Sequence, residues 1–261
     1  MSKNLKDKVA VISGATSGIG KAIAETLQAQ GVKIVNVSKD PTDLPYYKNY
    51  VCNIADIEAL LDVCKDIEQT VGKIDFLFCN AGLGIGGSME NAKMQDIQTL
   101  FSVNLIAQTQ MTTLLIPIVK DGGKIIYTSS LAALLPLPYQ ACYSASKAAL
   151  ANFARALRTE LKPRKIGVCA ILPGDIATGF TDARIVTTGD SDREKHAVSK
   201  AEHAERTGNS PKTVAKTALK IVRRKRTPLR VAVGCGNKLL VFITRLLPLR
   251  LVDFLIEKIY L

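Results

Sequence analysis

Tyr143 and Lys147 stand four residues apart in a stretch that reads as the start of a helix, so both side chains project from one face. An ammonium beside a phenol stabilises the phenolate and lowers its pKa from about 10 toward neutrality. A tyrosine so placed can give or take the proton of an alcohol while hydride moves to or from carbon. Ser130, thirteen residues earlier at the end of a strand-like run, can offer its hydroxyl to a substrate oxygen. Tyrosines and lysines are common on helices, so the pair alone is a weak signal. Ser130 strengthens it.

A second string with chemical content, SGATSGIGKAIAE, joins the first strand to the first helix. Gly14, Gly18 and Gly20, with Thr16, Ser17 and Ile19 among them, let the chain turn sharply and let a pyrophosphate approach the backbone. N–H groups at the helix start then face its charge. A tight turn without a ligand is the bland alternative. The position at the very first β–α junction favours the functional one.

Both strings need a scaffold that brings residues 14–20 and 130–147 together. Seven short β-rich runs, near Val9, Ile34, Val51, Phe76, Ile125, Val168 and Val231, alternate with helical segments at 20–30, 55–71, 94–119, 143–161 and 211–226. Most of the runs are apolar without polar alternation, as strands covered on both faces require. The expected fold is α/β: a doubly wound, Rossmann-type parallel sheet of seven strands in a single domain, residues 1–236. Residues 175–209 are polar, of mixed charge and without a strand signal, and are expected to form a lid over the ligand. Residues 237–261 form an apolar, amphipathic helical tail.

Composition narrows the function. Of 261 residues 47% are apolar and 22% charged, which excludes a disordered polyelectrolyte. A net charge of +12 favours anionic partners, yet Trp is absent and aromatics are 5%, too few for a base-stacking surface. Nucleic acid is not an expected partner. The six cysteines form no CxxC, and His196 and His203 are seven apart, so neither a metal site nor a disulfide framework is expected. The first strand-like run starts at Val9, which predicts no signal peptide and a cytoplasmic protein.

The glycine spacing, GxxxGxG, resembles the TGxxxGIG opening of the short-chain dehydrogenase/reductase family, with Ser13 in place of Thr. The strings CNAG, FSVNLIAQ, YTSSLAALLPLPYQACYSASK and PGDIAT resemble the family's later motifs, over roughly the first 235 residues. The resemblance implies Asn104, Ser130, Tyr143 and Lys147 as catalytic residues, Asn104 holding a water on the proton path to the lysine. It implies cofactor contacts from Asn53 and Ile54 at an adenine, from Asn80, Ala81 and Gly82, from Tyr143 and Lys147, and from Pro173, Gly174, Ile176 and Thr178 near a nicotinamide. For Asn80 a purely structural role is equally open. Ser38 stands where the family often has an acidic residue that binds a ribose diol and repels a 2′-phosphate. With Lys39 it favours NADP(H) over NAD(H). Asp40 opposes that reading, since it could reach the ribose instead.

The implied enzyme is an NAD(P)-dependent oxidoreductase that interconverts a ketone and a secondary alcohol. A catalytically silent NADP-binding sensor is the first alternative, opposed by the presence of both Tyr143 and Lys147. A sugar-nucleotide epimerase or dehydratase is the second, opposed by chain length and glycine spacing. Leu131, Ala132, Leu134, Leu135, Leu137 and Pro138 form an apolar wall suited to a steroid- or lipid-like substrate, although the loop could simply pack on the sheet and leave a small polar carbonyl as substrate. A homodimer or homotetramer through the helices near Met111 and Phe153 is expected.

In the tail, Arg250, Asp253 and Glu257 make a narrow polar stripe opposite a broad apolar face, and Pro248 separates this helix from one carrying Lys238 and Arg245. The charges interrupt the run too often for a transmembrane helix. Between Leu219 and Leu261 ten Lys/Arg stand against Asp253 and Glu257, so +8 of the net charge lies here. Peripheral contact with an anionic membrane, and packing of the same face on the domain or a partner subunit, both remain open.

Overall fold

The computed structural model describes residues 4–261 apart from 188, 190 and 245. Arg245, expected on the penultimate helix, therefore lies outside the described residues. The chain runs β1 (Val9–Ser13), α1 (Gly18–Gln28), β2 (Lys33–Ser38), β3 (Lys48–Val51), α2 (Ile57–Thr70), β4 (Ile74–Cys79) and β5 (Ile85–Gly87). It continues through α3 (Met94–Phe101), α4 (Ala107–Leu115), β6 (Val119–Thr128), α5 (Ala141–Glu160), β7 (Gly167–Leu172) and β8 (Ile185–Thr187). It ends with α6 (Asp192–Arg206), α7 (Pro211–Arg223), β9 (Arg230–Ala232), α8 (Cys235–Thr244) and α9 (Leu249–Tyr260).

All seven expected strands join one parallel sheet in the order β3-β2-β1-β4-β6-β7-β9. Successive residues of a strand point to opposite faces, which explains why the runs are apolar throughout. Val11, Val35, Leu77, Ile125 and Val168 pack on α2, α4 and α5, whereas Ala10, Ile12, Ile34, Phe78 and Ile171 pack on α1 and α7. Strand order reverses between β1 and β4, which opens a crevice at the carboxyl ends of the strands, where such sheets take their ligands.

Two expectations need correction. The 175–209 segment is not strandless: β8 pairs in parallel with β5, Ile85 opposite Ile185, and α6 follows. Two three-residue strands satisfy each other's backbone groups, and strands so short leave no periodic signal in sequence. The 94–119 helix is not continuous, because a π-helical turn, Ser102–Ile106, separates α3 from α4, and such turns recur at functional sites. Met111 is fully buried in the chain's own core, so its side chain is not available to a partner subunit.

The tail forms the two expected helices, with Pro248 at the N-cap of α9. On α9 only Val252 and Ile256 are buried, packed with Leu135 into a small separate cluster. Among the described residues no helix is long and apolar enough to cross a membrane.

Candidate active site

At the β1–α1 turn, Gly14 and Gly18 adopt positive φ of 72° and 52°, which side-chain-bearing residues rarely hold. A Cβ on Gly20 would lie 2.0 Å from the Gly14 carbonyl oxygen, so this position also excludes a side chain. The N-cap of α1, Ser17, makes no side-chain capping bond. The first N–H groups of the helix are thus left for an anion. Ser13, the departure from the usual threonine, keeps its hydroxyl in use: its Oγ accepts the backbone N–H of Asn80 (2.9 Å) and of Ala81 (3.1 Å). This ties β1 to the end of β4.

Asn80 in turn donates to the carbonyls of Ser13 (3.2 Å) and Gly14 (3.4 Å) and accepts from Thr128 Oγ1 (3.0 Å). Its amide clamps the glycine turn to β6. Asn104 sits in the π turn, fully buried. Its Oδ1 accepts the Leu83 N–H (2.7 Å), and its Nδ2 donates to Leu83 O (2.9 Å) and Ser146 Oγ (3.1 Å). A Cβ on Gly82 would meet Lys147 Nζ at 3.1 Å and Asn104 Oδ1 at 3.3 Å, so the glycine leaves room for both.

Tyr143 and Lys147 leave the first two turns of α5 on one face, and the Lys147 Nζ lies 5.8 Å from the centroid of the Tyr143 ring. Lys147 is buried and donates to Thr128 O (3.2 Å). Burial lowers its pKa to about 8. The Tyr143 phenol is not lowered as the sequence suggests: burial raises it to about 12, with Glu205 and Asp175 adding to the rise and Ser130 and Arg184 opposing it. Desolvation of the phenolate outweighs the favourable neighbours here. Phe180, from the segment after β7, stands against the phenol with ring centroids 5.9 Å apart.

Asn80, Gly82, Tyr143, Lys147 and Phe180 face a cleft of about 760 Å³. Of the residues singled out in sequence, Gly14, Ser17, Gly18, Ile19, Lys39, Asn80, Gly82, Ser130, Tyr143, Lys147, Pro173, Gly174, Ile176 and Thr178 line it, together with Asp40. Thr16, Gly20, Ala81 and Asn104 lie outside this lining. So does Ser38, which is buried and donates its hydroxyl proton to Asn36 Oδ1 (2.6 Å). Of the expected pair Ser38 and Lys39, only Lys39 lines the cleft. Asn53 is exposed and accepts the Ala55 N–H (3.2 Å). Ile54 is buried in the core rather than open to the cleft.

Sequence reading passed over several cleft residues. Asp175, Phe180, Ala183 and Glu205 come from the lid segment, and Leu240, Val252, Leu255, Ile256, Ile259 and Tyr260 from the tail. The apolar loop contributes Leu131, Ala132, Leu135 and Leu137, while Leu134 and Leu135 also touch the tail. Thr181 Oγ1 donates to Glu205 Oε2 (2.6 Å), and Arg184 forms an ion pair with Glu205 Oε1, so the first part of the lid is bound to the end of the lid's own helix α6.

A family profile described as short chain dehydrogenase matches residues 8–187. A 3-ketodihydrosphingosine reductase of Bacteroides thetaiotaomicron is 33% identical over 239 residues, 88% of this chain and 89% of the relative. A dehydrogenase/reductase SDR family member 7B of Xenopus tropicalis is 30% identical, over 97% of this chain and 86% of its own. Among solved structures, a short chain dehydrogenase/reductase from Burkholderia phymatum in complex with NAD has a TM-score of 0.82 at 24% identity, covering 94% of each chain. A short chain dehydrogenase from Burkholderia cenocepacia in complex with NADP has a TM-score of 0.74 at 23% identity, over 90% of this chain and 100% of its own. Both share the fold.

Proposed function

The chain belongs to the short-chain dehydrogenase/reductase family and is an oxidoreductase, and from that premise we propose that it interconverts a ketone and a secondary alcohol on a steroid- or lipid-like substrate, with NADP(H) preferred. The observation that carries this reading is the position of Tyr143, which lines the same cleft as an apolar wall built from Leu131, Leu135, Leu137 and the tail. Such a wall counts against a small polar carbonyl, because it would desolvate polar groups without bonding them. The name of the Bacteroides relative points the same way.

The residues at the glycine turn fit a nicotinamide dinucleotide, since the positive-φ glycines and uncapped helix start leave backbone N–H groups for its phosphates. Lys39 would face a 2′-phosphate, and Ile176 and Thr178 a carboxamide. When bound, the nicotinamide supplies or accepts the hydride. Ser130 holds the substrate oxygen, and Tyr143 exchanges a proton with that oxygen. A phenol raised to about 12 holds its proton at neutral pH and so has one to give a ketone oxygen, and the same group takes the proton back in the reverse direction. Lys147 places a cation near the phenol, and Asn104 positions Leu83 and Ser146 behind it. The presence of all four residues counts against a silent sensor.

Residues 1–236 form the catalytic unit in this reading, and 237–261 a foot for peripheral contact with a membrane, on its cytoplasmic side. Eleven of the eighteen exposed large apolar side chains among the described residues lie between Leu239 and Leu261, too many for a face that only packs inward. Lys238, Arg250 and Lys258 are exposed on the same two helices and suit anionic lipid. The active form is a homodimer or homotetramer. The test is NADPH consumption by purified full-length protein across keto-steroids, long-chain keto-lipids and small diketones. Turnover is expected with the lipophilic ketones. Turnover of only the small diketones would overturn the substrate class, and tight NADPH binding without any turnover would favour the sensor.

A further inference from the structure

Glycine recurs at every second position, Gly82, Gly84 and Gly86, along the run that leads from β4 into β5. Each leaves room for a side chain arriving from elsewhere. Gly82 gives it to Lys147 and Asn104. A Cβ on Gly84 would stand 2.9 Å from Cε1 of Phe180 and 3.3 Å from Nε of Arg184, and one on Gly86 would stand 3.2 Å from Cδ of Arg184. The Phe180 ring and the Arg184 side chain therefore rest on bare backbone, and the same ring meets Tyr143. Phe180 itself belongs to a turn between β7 and β8, closed by the Ala183 N–H on Gly179 O (3.2 Å) and the Arg184 N–H on Thr181 O (3.3 Å). Glu205, from the end of α6, fixes that turn. Its Oε2 accepts the Thr181 hydroxyl (2.6 Å) and its Oε1 pairs with Arg184. The Arg184 side chain is 1% exposed, and its Nε and Nη1 have no partner among the described residues, so its charge depends on Glu205.

We propose that Phe180, seated on Gly84 by the Arg184–Glu205 pair, is a positioning residue that holds the Tyr143 ring in the orientation proton transfer requires. The assignment rests on the reading of Tyr143 as the proton-exchanging group of a ketone reductase. Two torsions aim the tyrosine, and its hydroxyl stands at the far end of the ring, so a small rotation carries the oxygen away from a substrate. Transfer needs the two oxygens within about 2.6–3.2 Å of each other. Lys147 Nζ approaches the ring from the next turn of α5, 5.8 Å from its centroid, and the Phe180 ring approaches it from the lid at 5.9 Å. Helix α5 supplies the first contact by itself, whereas the second exists only while the lid turn is in place. Seating of the lid turn and aim of the phenol are thereby coupled, through Glu205.

The test measures single-turnover hydride transfer from NADPH in full-length protein, with two probes of different shape: a keto-steroid and a long-chain aliphatic ketone. Phe180→Ala is expected to slow transfer by about tenfold to a hundredfold on both probes alike, the cost of misplacing a reacting group by up to about 1 Å, with NADPH affinity held. Phe180→Leu, which refills most of the space, should recover most of the rate. Gly84→Ala adds a methyl that meets the ring while Glu205 and Arg184 stay paired, and it should cause a similar loss. Glu205→Gln should slow transfer in the wild type but add nothing in the Phe180→Ala background, because it acts through the ring. Thr181→Val, which loosens the clamp without unpairing Arg184, takes its place in the cycle should Glu205→Gln fail to fold. A loss confined to one probe, and to its affinity rather than its transfer rate, makes Phe180 a substrate wall and overturns the proposal. Full additivity in the cycle detaches the clamp from the ring and overturns it as well. Unchanged transfer in Phe180→Ala and Gly84→Ala, with Tyr143→Phe inactive, overturns the proposal and leaves the reading of Tyr143 intact. Consumption of neither probe by wild type that binds NADPH overturns both together.

Discussion

The two sides of the cleft are built on different principles. On the side of Asn80, Asn104 and Lys147, buried polar groups meet at fixed distances, and every nitrogen and oxygen of the two asparagine side chains has a partner. On the side of α8 and α9, the inward contacts are Val252 and Ile256 against Leu135, while Leu249, Phe254 and Ile259 are 78, 53 and 55% exposed. Hydrogen bonds are directional, so the first side tolerates little movement. Apolar contact is not, so the second can shift without losing its attraction. The proposed proton transfer needs the first kind of wall, and the proposed apolar substrate, which must enter and leave, needs the second.

The sharpest way to break this contrast is at Tyr143. Tyr143→Phe removes one oxygen from the ordered side and leaves the apolar side untouched. NADPH affinity should hold, and turnover of a lipophilic ketone should fall by about 10²–10⁴, the usual weight of a general acid. Single-turnover and binding measurements together check both halves. Unchanged turnover would move the proton donor elsewhere.

Lys39→Ala probes the far end of the same side with a smaller effect. Because Ser38 gives its proton to Asn36, Lys39 is the member of the pair that lines the cleft, and its loss should weaken NADPH by about tenfold to a hundredfold while sparing NADH. A wild-type preference for NADH, measured by titration of both, would hand the position to Asp40.

The contrast also explains what sequence makes legible. Gly14, Gly18, Gly20 and the Ser130–Tyr143–Lys147 spacing can be read because backbone geometry and reach permit few residue types there. The seven strands can be read because burial on both faces leaves continuous apolar runs. β5 and β8 cannot, since three residues show no period. The π turn at Asn104 is equally hidden, being a matter of hydrogen-bond register within an unbroken helical pattern. Asp175, Glu205 and Tyr260 are hidden for another reason: lid and tail meet the cleft only through tertiary packing. The inward turn of Ser38 depends on Asn36, whose amide is itself held by Asn49 on the neighbouring strand β3, a polar network that only the tertiary structure assembles.

On the apolar side, Leu249→Glu combined with Phe254→Glu places charge on the exposed face of α9 without touching Val252 or Ile256. Flotation with anionic vesicles should recover the wild type in the lipid fraction and leave the variant behind, with NADPH affinity equal in both. Each apolar side chain withdrawn from water contributes about 1.5–3 kcal/mol, so two are enough to shift partitioning strongly. If the wild type stays out of the lipid fraction and the variant instead changes its size on gel filtration, the face joins subunits.

The smallest effect concerns what the ordered side costs. Lys147 is 3% exposed, and burial lowers its pKa from 10.5 to about 8. The folded value lies below the unfolded one, so between these two pH values the unfolded chain binds more protons than the folded chain, and stability rises with pH across that window. Below about pH 8 the lysine is charged in both states and the burial penalty is fully present, corresponding to about 3 kcal/mol at most. Lys147→Met fills similar space without a charge, losing one bond to Thr128 O. The variant should be inactive yet more stable at pH 7 by about 1–3 kcal/mol in urea denaturation, and its advantage should shrink as pH approaches 10.5. A pH-independent difference between the two proteins would mean that the ammonium is solvated after all, and that the catalytic side of the cleft is no more costly to hold together than the apolar one.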